Sequence, residues 1–99
     1  MDDVVMVPQN AVAPLLGPTE ARLNITYDGE NADLPDSVRF DATDAEVKGW
    51  ATEAVQNGMP GIPANRAADF TNFIVDRFEA NEATPFNRLM IRPKTEFGS

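Results

Sequence analysis

Three acidic side chains, Asp41, Asp44 and Glu46, fall within six residues of one another. Carboxylates at that density can hold magnesium or exchange a proton with a substrate. A second acceptor cluster, Asp28, Glu30, Asn31 and Asp33, surrounds Gly29 and raises the question of a calcium loop. The alternating Asp-x-Asp-x-Asp-Gly order is absent, and no glutamate follows at the position that would ligate twice, so a hairpin loop is expected there. Arg88, Arg92 and Lys94 form a basic cluster in an acidic chain and suit contact with an acidic partner. Cysteine and histidine are missing altogether. That removes thiol nucleophiles, imidazole bases and the usual zinc ligands together. No cofactor or metal fingerprint is present, and the chain reads as a non-enzyme.

These groups need elements to position them, and composition bounds those elements. The 99 residues suit one domain, which at this size buries roughly two-thirds of its unfolded surface. Hydrophobic content of 42% is enough to drive folding. No apolar run approaches the ~18 residues of a membrane span. Asp2 and Asp3 stand where a secretory leader carries basic residues, so the expected location is cytoplasmic. The net charge of −8 opposes binding to nucleic acid or to anionic membranes.

The clearest local signal is a strand running into a helix. Val38 and Phe40 alternate with Arg39 and Asp41, and Thr43-Asp44-Ala45-Glu46 follows as a capping box. Under that reading the acids at the junction cap the helix and complement its dipole. Val47, Trp50, Ala51, Ala54 and Val55 then mark one helical face, and Gly58 ends the helix in a left-handed conformation. Upstream, residues 21–28 alternate as a strand, with Leu23, Ile25 and Tyr27 on one side and Arg22, Asn24 and Thr26 on the other. A turn over residues 28–33 leads to the second strand, residues 37–41. The sequon Asn24-Ile25-Thr26 reads as strand alternation.

Downstream, Gly58, Pro60, Gly61 and Pro63 make a rigid connector. A second helix is expected over about residues 64–79, because Ala67, Phe70, Ile74 and Phe78 share a stripe at helical spacing. Residues 86–93 form the last strand, whose continuous Leu89-Met90-Ile91 suits a central position. Residues 1–19 read as a proline-rich arm whose Leu15 and Leu16 need something to pack on, either the same domain or a neighbouring subunit. Residues 20–95 are the domain, and residues 96–99 read as a tail of cloning origin.

Assembled, the order is strand, strand, helix, helix, strand. The expected fold is α+β in two layers: a mixed three- to four-stranded sheet with two helices on one face, the last strand parallel to the first. Trp50, Phe70 and Phe78 are expected to meet the sheet beneath the helices.

A hairpin, a helix and a final strand beside the first resemble the ubiquitin-like β-grasp fold. Thr43-Asp44 before the helix and Gly58-Met59-Pro60 after it are similar to the Ser-Asp and Gly-Ile-Pro that bracket ubiquitin's helix. The resemblance covers residues 23–60 and 89–98. Where ubiquitin has its middle strands, the spacing here gives a second helix, and where a modifier ends in Gly-Gly this sequence has Phe97-Gly98-Ser99.

The leading functional expectation is a small acidic protein–protein interaction or assembly module, its partner another protein or a second copy of itself. Arg88, Arg92, Lys94, Leu15 and Leu16 are its candidate contact residues. The resemblance implies a ubiquitin-like modifier or carrier as an alternative. A second alternative is an acidic inhibitor that imitates nucleic acid.

Overall fold

Strand β1 (Glu20–Tyr27) forms where Ala21, Leu23 and Ile25 alternate with Arg22, Asn24 and Thr26. The three apolar side chains are fully buried. The computed structural model describes residues 17–94. The arm up to Leu16, including Leu15, and the 96–99 tail therefore lie outside the described residues.

Asp28 and Gly29 both take positive φ, 52° and 80°, the pairing that a tight two-residue hairpin demands. Strand β2 (Glu30–Asp33) follows at once, antiparallel to β1 with Tyr27 opposite Glu30. The loop is thus shorter than the 28–33 turn expected from sequence, and Glu30, Asn31 and Asp33 are strand residues. Pro35 interrupts the ladder, and pairing resumes with β3 (Val38–Arg39) against Glu20 and Ala21. The expected second strand, residues 37–41, thus shortens to Val38–Arg39, and the hairpin partner of β1 is β2, in the segment expected as a turn.

Helix α1 (Asp44–Asn57) begins on the expected capping box. The Glu46 amide donates to Thr43 Oγ1 at 3.1 Å, and the Thr43 amide donates to Glu46 Oε1 at 2.9 Å. Val47, Ala51 and Val55 are buried against the sheet, and Trp50 and Ala54 pack at the core margin. Gly58 closes the helix with φ 90° and ψ 128°. That φ excludes most side chains, yet the ψ is extended and not left-handed helical. Thr43→Ala is expected to lower stability by about 1 kcal/mol in chemical denaturation, the usual worth of such a cap.

The second helix is not formed. Residues 64–72 are irregular, and β4 (Phe73–Phe78) occupies the rest. The local chemistry explains this. Asn65 Oδ1 accepts from the Ala67 amide, and Asp69 Oδ1 accepts from both the amide and the hydroxyl of Thr71. Side chains that bond to nearby amides compete with the helical ladder. Phe73, Ile74 and Val75 are aromatic or β-branched and fit a pleated surface better than a helix. The segment remains attached to α1, since Lys48 donates to the Thr71 carbonyl and Gln56 to that of Ala68.

Strand β5 (Asn87–Pro93) lies parallel to β1, with Leu23 opposite Leu89 and Ile25 opposite Ile91, and antiparallel to β4. The sheet is mixed and five-stranded, in the order β2-β1-β5-β4, with β3 sharing the β2 edge of β1. The class is α+β as expected, with one helix instead of two and more strands than expected among the described residues. Phe70 is 1% exposed in the core, while Phe78, expected beneath a helix, is 40% exposed. Asn87 is the one buried polar residue among those described. Its Nδ2 donates to the carbonyls of Pro18 and Glu20 and its Oδ1 accepts from the Ala80 amide, pinning β1, β4 and β5 at one end.

Candidate interaction surface

The helix covers one face of the sheet. The other face is set by alternation: a residue beside each buried Leu23, Ile25, Leu89 or Ile91 points away from the core. Parallel register brings Arg22 level with Arg88 and Asn24 level with Met90. Antiparallel register brings Ile74 level with Arg92, Asp76 with Met90, and Phe78 with Arg88. No helix or strand among the described residues lies over this face. It carries three arginines, Arg22, Arg88 and Arg92, against three acids, Glu20, Asp33 and Asp76, in a chain of net charge −8. Between the charges sit half-buried Ile74 and Met90 and exposed Phe78.

Two like charges placed side by side must separate, and they do. Arg22 reaches toward β2 and donates to the carbonyls of Leu34 and Pro35 at 3.3 and 3.2 Å. Arg88 leans the other way, its guanidinium 4.9 Å from the centre of the Phe78 ring. A shallow cavity of about 200 Å³ opens between them, lined by Arg22, Asn24, Asp33, Phe86, Arg88 and Met90. Within it Asn24 holds Asp33 at 2.9 Å, and Asn24 and Asn31 bond reciprocally. The Arg88 Nε is buried without a protein partner. An arginine held over an aromatic ring beside an apolar floor is suited to a carboxylate that brings an apolar neighbour with it. Arg92 is differently employed: its Nε donates to Asp76 at 2.8 Å.

Of the residues singled out from sequence, Arg88 and Arg92 share this face, while Lys94 is exposed just past the end of β5. Leu15 and Leu16 lie outside the described residues. Sequence reasoning missed Arg22, Ile74, Met90 and Phe78. For Arg22 the signal existed: once β1 and β5 are parallel with Leu23 beside Leu89, Arg22 must stand beside Arg88.

The acids at the strand–helix junction are each bound to a partner. Asp44 pairs with Arg77, Glu46 closes the capping box and meets Arg39 at 2.9 Å, and Asp41 stands 3.9 Å from Arg39. Among the described residues no three acidic side chains converge as metal ligands would. The hydrogen bond from the Thr43 amide, aided by Arg39, holds the Glu46 carboxyl below its ordinary value. The Thr71 hydroxyl and amide do the same for Asp69. A carboxyl whose value is lowered by folding stabilises the fold above the unfolded value and loses that contribution as pH falls through the folded one. Glu46→Gln keeps a cap acceptor and removes the titration. Its melting temperature should therefore converge on that of the parent chain as pH drops below about 4.5, the ordinary glutamate value. A gap between the two melting curves that stays constant with pH would refute this.

The chain matches no protein-family model, no curated protein and no solved structure.

Proposed function

We propose that the protein is a small interaction module that binds an acidic segment of a partner protein on the open face of its sheet. The observation that carries this is Arg88: buried at Nε, stacked on Phe78, and set beside Met90 above a shallow cavity. Charge alone would place a contact anywhere around β5. The apolar surface beside it selects this face, because a fully desolvated centre is what makes an interface residue count.

Arg88→Glu and Met90→Asp test it. Both positions are half-buried on the face away from the core, so melting should change little while partner affinity falls about tenfold or more. Quantitative affinity capture with the parent chain and each variant supplies the measurement. Binding should also weaken with added salt. Partners retained equally by all three proteins would remove the face from consideration. A strict monomer in sedimentation that recovers no partner would remove the interaction module itself.

A β-grasp reading is supported by a specific feature. A hairpin, a helix and an antiparallel edge strand precede a last strand that lies parallel to the first, in the order β2-β1-β5-β4. The segment that sequence spacing gave as a second helix is a strand, which removes one departure from that fold. A modifier or carrier role requires more than the fold, namely a glycine terminus that an enzyme can activate. Incubation of the native gene product with an activating enzyme and ATP would show an adenylate or thioester if that role holds.

A further inference from the structure

A second concave surface lies where α1 overhangs the β3 edge of the sheet. The two-residue β3 is too short to fill that edge. Trp50 and Ala54, flanking the buried Val47–Ala51–Val55 stripe, are left facing Leu34, Val38 and Met59 across a groove of about 620 Å³. The volume falls within the range of pockets that take a small molecule or a short peptide segment, and the lining is mostly apolar. Its rim carries Glu20, Glu53 and Arg39. Arg39 is already bonded to Glu46, so the rim offers little attraction for an acidic segment.

The chain supplies an occupant of the right kind at the right place. Residues 11–16, Ala-Val-Ala-Pro-Leu-Leu, carry no charge and only apolar side chains. They are joined directly to Gly17, whose amide donates to Glu20 Oε1 at 2.9 Å, and Glu20 is part of the groove rim. Leu16 therefore begins one peptide bond from a residue anchored at the groove. Six residues reach about 20 Å when extended. Tethering on so short a link gives an effective concentration in the millimolar range, so a weak apolar contact suffices to fill the site. The open sheet face competes less well for this segment, because its apolar Ile74, Met90 and Phe78 are interspersed with Arg22, Arg88, Arg92, Asp33 and Asp76.

We infer that the groove between α1 and β3 is the seat of the chain's own residues 11–16, with Leu15 and Leu16 as the anchoring side chains. Trp50, the single tryptophan, reports on it. In the full chain, Leu15→Ser combined with Leu16→Ser should shift Trp50 emission to the red and speed its quenching by acrylamide, with melting still cooperative. A nitroxide on Ala13→Cys, the only cysteine in such a chain, gives a second measurement that leaves both leucines intact. It should broaden the signals of Leu34, Val38 and Met59 within the same molecule, and leave them sharp when labelled chains are mixed with isotope-enriched unlabelled ones. Broadening in the mixed sample would assign the groove to a second copy and overturn the inference. So would broadening confined to Ile74 and Met90, no broadening at all, or a Trp50 signal indifferent to the leucine substitutions.

Discussion

Phe70→Ala is expected to cost about 3–5 kcal/mol, the usual penalty for emptying a buried aromatic site. Phe70 is the largest fully buried side chain among the described residues. Its ring stands 4.5 Å from Phe73 and 5.2 Å from Tyr27, centre to centre, so truncation also removes two ring–ring contacts. The site cannot collapse easily. The Tyr27 hydroxyl is held by Asn65, and the Phe70 carbonyl accepts from the Phe73 amide, which fixes the loop on both sides. Domains of this size have about 5–15 kcal/mol in total, so the variant should melt on the order of 20 °C lower. Phe78→Ala is the control. Phe78 is 40% exposed and stacks against Arg88 outside the core, so its loss should cost about 1 kcal/mol, well below that of Phe70. On a single amphipathic helix Phe70 and Phe78 would share a stripe and cost alike. Equal penalties in urea denaturation would argue against the strand at Phe73–Phe78 as well as against the core assignment.

That contrast shows what the residues made legible and what they did not. The helix was readable because each level agreed: a capping box, an apolar stripe and a terminal glycine all demanded the same fourteen residues. The parallel pairing of β1 and β5 followed from chain direction, because β4 returns the chain just as the expected second helix would have. The stretch from Ala64 onward failed because its apolar residues satisfy a period of 3.6 by coincidence. Phe73-Ile74-Val75 is a short run on which periodicity cannot decide, and residue preference should have outweighed it. The error propagated to the surface. With Phe78 assigned to a helix, nothing placed it over Arg88, so only Arg88 and Arg92 of the candidate face were found. Ile74 and Phe78 become part of that face only once β4 pairs with β5, a long-range event that no local pattern contains.

Gly61→Ala carries the second large penalty, and its two causes can be separated. Gly61 lies in the turn closed by the Met59–Ile62 bridge and has φ 91°, where a side chain costs about 1–2 kcal/mol. A Cβ there would also come within 2.7 Å of the Ala32 Cβ on β2. Ala32 belongs to a paired strand and is opposite Ile25, so relief requires moving backbone, adding about 1–3 kcal/mol. The combined loss is expected near 3 kcal/mol. Replacing Ala32 by Gly in the same chain removes the collision and leaves the φ strain, so the double variant should recover stability relative to Gly61→Ala alone, once the cost of Ala32→Gly by itself is subtracted in a full cycle. Gly29→Ala isolates the other cause: its φ is 80° but nothing lies within 4 Å, so it should show strain alone. If Gly61→Ala and Gly29→Ala cost the same, or if Ala32→Gly gives no coupling, then the turn after α1 does not press on β2. The contact that sets the height of that turn against the sheet, and with it the Met59 end of the groove, would be lost.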